Sequence, residues 1–138
     1  MAIVFRRMID RKKDSRGQAV VEFALVLPLI LLILLGITEF GRAFWTLNVV
    51  SQAAREGARL AAVGGDQAAV EARVMLVLDA ANVTPASGGI VYTAPDPTDP
   101  DPTVTVAVSS DFQFLSGNVL PISGTIPLSS TSVMRFEG

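Results

Sequence analysis

Few residues in this chain are equipped for chemistry, and most of those are carboxylates. The 138-residue sequence has neither cysteine nor histidine. That excludes disulfides, thiol nucleophiles, imidazole acid–base catalysis and Cys/His zinc sites. Among the carboxylates, Glu22 has the least ordinary setting. It interrupts an apolar stretch that begins at Ala19, and the run from Phe23 to Thr38 (FALVLPLILLILLGIT) carries no charge. An ionised carboxylate at the edge of such a segment is costly and is rarely left without a partner or a function. The plainer alternative is that Glu22 lies at the level of lipid headgroups. A second group, Asp96, Asp99 and Asp101, alternates with prolines between Pro95 and Pro102. Three aspartates so close suggest calcium, yet no EF-hand spacing or bidentate glutamate follows, and no metal site is expected. Arg55, Glu56 and Arg59 read as a solvated or ion-paired edge. No Ser–Lys, paired-carboxylate or metal constellation stands out, so the chain is not expected to be an enzyme, to need a cofactor or to take a small-molecule substrate.

The element that positions Glu22 is the apolar run itself. With the residues back to Ala19 it supplies about the twenty residues that cross ~30 Å of hydrocarbon at 1.5 Å per residue. A buried core helix would look similar, but a soluble domain of this size could hardly surround one. Charge sets its orientation. Arg6, Arg7, Arg11, Lys12, Lys13 and Arg16 precede the run, against Asp10 and Asp14, while beyond Gly17 five basic residues face eleven acidic ones, a net of −6. Lysine and arginine crowded on one side of a span predict a cytoplasmic N-terminus and an exported C-terminal region. Directly against a span and without groove-reading or aromatic patterning, the same charges do not suggest nucleic acid. An ordinary secretory signal is disfavoured because the run exceeds the usual 7–15-residue apolar region and no Ala-x-Ala-like site follows. Glu39-Phe40-Gly41-Arg42-Ala43-Phe44-Trp45 follows instead, a charged and aromatic belt suited to a membrane–water interface. Pro28 cannot donate to the carbonyl of Ala24 and is expected to kink or locally open the helix.

The helix is expected to continue to Ala62, where Gly64-Gly65 ends it. Counted from Gly17 it would run about 45 residues, or roughly 65–70 Å. Ala53, Gly57 and Ala61 recur every four residues, as do Ala54, Ala58 and Ala62. Two adjacent rows of small residues let another backbone approach closely, whether from this chain's own sheet, a neighbouring copy or a partner subunit. Asp66 is placed to cap a second, amphipathic helix with Val70, Val74, Val77, Leu78 and Ala81 on its apolar stripe, ending near Asn82. The period then changes. Gly89–Thr93 and Thr103–Val108 read as strands, and Ile126–Leu128 with Thr131–Phe136 as a last strand pair or one interrupted strand. The proline-rich stretch 94–102 reads as an extended, solvated loop, and Phe112, Phe114 and Leu115 as a plug for the open end of the core.

Residues 16–62, from RGQAVVEF through the proline-bearing span to EFGR and AAREGAR, resemble the TadE-like family, the pseudopilins or minor pilins of tight-adherence (Tad, type IVc) pilus systems. Each motif is weak alone and specific in combination, and the resemblance covers about a third of the chain. It implies a pilin-like α+β fold: a long N-terminal transmembrane helix, a second amphipathic helix and a small antiparallel sheet. It also implies three parts, a basic leader 1–17 cleaved after Gly17, a hydrophobic stem 18–62 and an exported α+β region 63–138. Gly17 and Gln18 would flank the cut made by a prepilin peptidase. Glu22, followed by Phe23, would then pair with the new N-terminal amine of a neighbouring subunit, and Pro28 would mark a stretch that opens in the filament. The implied partners are the peptidase, other Tad pilus subunits, inner-membrane assembly components and membrane lipid. The competing expectation is an unprocessed single-pass protein of the cell envelope whose distal β region is a binding module.

Overall fold

The computed structural model describes residues 2–118 and 124–138; the leader's basic side chains, residues 6–16, lie outside the described ones. Helix α1 (Ala2–Ala62) and helix α2 (Gln67–Ala80) are followed by β1 (Ile90–Thr93), β2 (Thr103–Gln113), a short 3-10 turn (Leu115–Asn118) and β3 (Thr125–Arg135). The strands form one antiparallel sheet in the order β1-β2-β3. The fold is therefore α+β with a long apolar N-terminal helix, as the sequence leads one to expect. The chain divides into two compact units, the first ending at Thr38 and the second spanning Glu39–Gly138.

In the first unit no side chain from Gly17 onward is buried; Leu25 is 74 % exposed and Val20 67 %. Pro28 lies within α1, with helix on both sides of it. Thr38 returns its hydroxyl to the carbonyl of Leu34 at 2.9 Å.

The second unit owns the core. Its part of α1 buries Val50, Ala53, Ala54, Ala58 and Ala61, three and four residues apart, as one face of a 3.6-residue period requires. α2 contributes Val70, Val74 and Leu78 on the same spacing, and β2 contributes Val104, Val106 and Val108 on alternate positions. The two helices stop in the same way. Gly64, at φ +87°, follows α1, and the amides of Gly64 and Gly65 donate back to Ala61 and Leu60. Asn82, at φ 52°, follows α2, and the amides of Asn82 and Val83 donate to Asp79 and Leu78. Each pair closes the last turn through a residue in the left-handed region, which glycine adopts freely and asparagine tolerates. Asp66 caps α2 by accepting from the amide of Ala69 at 2.8 Å.

The sheet departs from expectation in length. β2 runs five residues beyond Val108, and β3 is a single uninterrupted strand despite Pro127. The ladder explains why. The amide of Phe136 donates to Pro102 just past the end of β3, while that of Ser109 donates to Gly89. Even-numbered residues of β2 therefore bond toward β3 and odd-numbered ones toward β1. Pro127, opposite Asp111, lies at a position that points away from β2, so its missing N–H costs no ladder bond. The longer β2 also changes the expected plug. Phe112 is buried as the last inward residue of the strand, Phe114 meets it edge-on at 5.5 Å, and Leu115, beyond the strand, is 52 % exposed. The chain end is tied down by the amide of Glu137, which donates to Ala62.

Candidate functional site

The apolar stem is the feature with functional content. Gly17–Ala62 is long and apolar enough to cross a membrane, with a window of mean hydropathy 2.9 of which nothing is buried. A core helix of a soluble protein would bury such a window, whereas this one turns Phe23, Leu25, Leu29 and Ile37 outward. Exposed apolar area costs about 25 cal/mol per Å² in water, so a segment like this demands an apolar environment.

At the head of the stem, Gln18 Nε2 donates to Glu22 Oε1 at 3.0 Å along one helical turn. Both side chains are exposed, as is Phe23. A carboxylate has about four lone-pair sites, and one neutral amide occupies only one of them. Among the described residues nothing beyond its chain neighbours and the helix's own backbone lies within 4 Å of where a Cβ on Gly17 would stand.

The small-residue rows are buried in the second unit. A Cβ on Gly57 would stand 2.7 Å from Val74 Cγ2 and 3.1 Å from Val106 Cγ1. The close approach thus belongs to α2 and β2 of the same chain, with Ala53 and Ala61 fully buried on either side. At the edge of these rows Arg73 donates to Glu56 at 2.7 Å from Nη2 and 3.3 Å from Nε, and Arg59 stands 3.6 Å from the same carboxylate. Glu56 and Arg59 are legible together at helical spacing; Arg73, seventeen residues on, joins them only once α2 folds back.

Sequence reasoning missed a second arrangement. Glu39 and Arg42, read as part of an exposed interfacial belt, form an ion pair of 2.9 Å in which Glu39 is only 6 % exposed. The Arg42 guanidinium lies 5.1 Å from the centre of the Phe112 ring, close enough for a cation–π contact. The i, i+3 spacing of Glu39 and Arg42 is a signal for the pair; nothing local signals Phe112, seventy residues away. Phe40, Phe44 and Trp45 stay exposed.

The aspartates of the proline-rich loop serve the loop itself. Asp96 accepts from the amide and hydroxyl of Thr98 at 2.9 and 2.7 Å, Asp99 accepts from the amide of Asp101, and Asp101 pairs with Arg135 at 2.8 Å. The two donors of Thr98, the amide first, hold the Asp96 carboxyl below its ordinary value. No group of three or more acidic residues placed to hold a metal occurs among the described residues.

No curated protein and no solved structure matches the chain. One family model does, over residues 17–59, from the glycine at the head of the stem into the small-residue rows, and its description is TadE-like protein. The segment that carries the unburied apolar helix, Glu22 and Gly57 is thus similar to the TadE-like domain, over about a third of the chain.

Proposed function

We propose that this chain is a minor pilin or pseudopilin that takes part in assembling a Tad-type (type IVc) adhesive pilus. The TadE-like domain associates the protein with Tad pilus systems and with a structural or accessory family, not an enzymatic one. The observation that carries the finer reading is the coincidence of three features at one end of that domain. The match begins at Gly17, Glu22 stands five residues on, and a long unburied apolar surface follows.

In this reading a prepilin peptidase cuts between Gly17 and Gln18, and the stem stays in the cytoplasmic membrane until assembly. The basic leader faces the cytoplasm and Glu39–Gly138 is exported, in keeping with the lysine and arginine asymmetry. The new α-amine of Gln18 would face Glu22 of an adjacent subunit. Attraction between the two is strong in low dielectric but is offset by desolvation, so the pair sets register more than it adds stability. Pro28 supplies a helix position with one backbone bond fewer, a place where the stem can open during packing. No bond chemistry is required of the chain; its work is lateral packing and recognition of other Tad subunits and inner-membrane components. Replacement of Glu22 tests this. Glu22→Ala is expected to insert in the membrane normally and to lose surface piliation, read by pilus shearing and immunoblot in cells whose only copy is the variant. Piliation at the unaltered level would end the pairing role.

A further inference from the structure

A cleft of about 470 Å³ opens in the Glu39–Gly138 unit, with Arg42, Trp45 and Thr46 of α1 on one side and Asn82, Thr84 and Asp111 on the other. Its position along the chain is telling. Arg42 follows Thr38 by four residues, and a trans chain advances at most about 3.6 Å per residue, so its backbone lies within about 15 Å of the end of the apolar run in any geometry. Headgroup layers extend roughly 5–8 Å beyond the hydrocarbon on each side. With the run in a bilayer, the backbone at Arg42 therefore lies within reach of the headgroup level.

The lining offers two opposite charges. Arg42 gives one N–H to Glu39 and rests against Phe112, yet its side chain is 40 % exposed, and a guanidinium has five N–H donors. Asp111 is exposed and has no ion pair among the described residues. Asn82 and Thr84 add neutral donors. With Glu39 beside Arg42, the carboxylates outnumber the guanidinium, which disfavours a purely anionic ligand and suits one that brings an anion and a cation together. Trp45, 52 % exposed on the rim, has the amphipathic ring that settles at the headgroup level.

We propose that this cleft binds the zwitterionic headgroup of an aminophospholipid, its phosphate at Arg42 and its primary ammonium at Asp111. The inference rests on the membrane-anchored reading and adds to it a lipid site on the exported unit. The lipid would hold that unit against the bilayer until the subunit is drawn into an assembly.

The test uses the full chain reconstituted in nanodiscs of phosphatidylcholine alone or mixed with phosphatidylethanolamine. Co-purifying lipid is counted by native mass spectrometry, and Trp45, the sole tryptophan, reports occupancy by fluorescence. Phosphatidylethanolamine should be retained about tenfold over phosphatidylcholine, whose quaternary ammonium has no N–H for a carboxylate, the worth of one charge-assisted hydrogen bond. Asp111→Asn should abolish that preference and Arg42→Gln should lower retention of both lipids. Because Arg42→Gln also breaks the Glu39 pair, the exposed Asp111→Asn carries the decision. Equal retention of the two lipids, or a preference that survives Asp111→Asn, overturns the proposal. So does a Trp45 response to free phosphoethanolamine as strong as to the lipid, which would mark a soluble ligand instead. Failure of the chain to enter nanodiscs would defeat the anchored reading itself, whereas entry without preference defeats the headgroup site alone.

Discussion

Gly57 shows how one missing side chain fixes a packing arrangement. Alanine is a better helix former by about 1 kcal/mol, yet a Cβ at this position would stand 2.7 Å from Val74 and 3.1 Å from Val106. Both neighbours are β-branched and stiff at χ1, and overpacking of this kind costs about 1–3 kcal/mol. Gly57→Ala is therefore expected to lower stability despite its helix propensity, read as a lower denaturation midpoint with unchanged slope in detergent. A second residue-scale prediction concerns Asp96, whose carboxyl the amide and hydroxyl of Thr98 hold below its ordinary value. A depressed folded-state pKa contributes stability that is present above the unfolded value and lost as pH falls through the folded one. Thr98→Val removes the hydroxyl donor and keeps the amide, so the carboxyl resonance of Asp96 should titrate at higher pH than in the parent chain, still short of its ordinary value.

At the scale of elements the helices were the more legible part. Small residues every four positions, Asp66 ahead of an apolar stripe, and Gly64 or Asn82 behind the last turn each act through local bonds, and local bonds leave local signals. The sheet was less legible because strand limits are set by partners. β2 continues through Ser109–Gln113 since β3 pairs with it as far as Thr125. Pro127 looked like a break because the sequence does not show which way its nitrogen points. That phase yields a prediction. Ser129→Pro, on the outward-bonding parity of Pro127, should be tolerated better than Ser130→Pro, which removes a donor to β2. The difference should be at least the ~1 kcal/mol of one ladder hydrogen bond, measured by thermal melting of the two variants side by side. The candidate site divides in the same way. Gly17 and Glu22 stand in a linear stretch that the sequence displays by itself, whereas Arg42 over Phe112 and Arg73 on Glu56 exist only after residues far apart in sequence have been brought together.

At the scale of the whole molecule, the two units have different relations to solvent. The Glu39–Gly138 unit buries its own apolar surface in a core of α1, α2 and the sheet, while the stem up to Thr38 buries none of its own. On the proposed function, lipid would satisfy the stem before assembly and neighbouring stems would satisfy it afterwards. The small-residue rows do not serve that second contact, since Ala53, Gly57 and Ala61 already pack against this chain's own α2 and β2. On the proposed function, lateral packing between subunits would then draw on residues nearer the head of the stem, around Glu22, Phe23 and Pro28. That makes the junction ahead of Glu22 the decisive place to measure. Intact mass and N-terminal sequencing of the protein recovered from piliated cells should give a chain beginning at Gln18, and replacement of Gly17 by a bulky residue should leave it unprocessed and unassembled. A chain that still begins at Met1 in cells with a working pilus system would contradict the account.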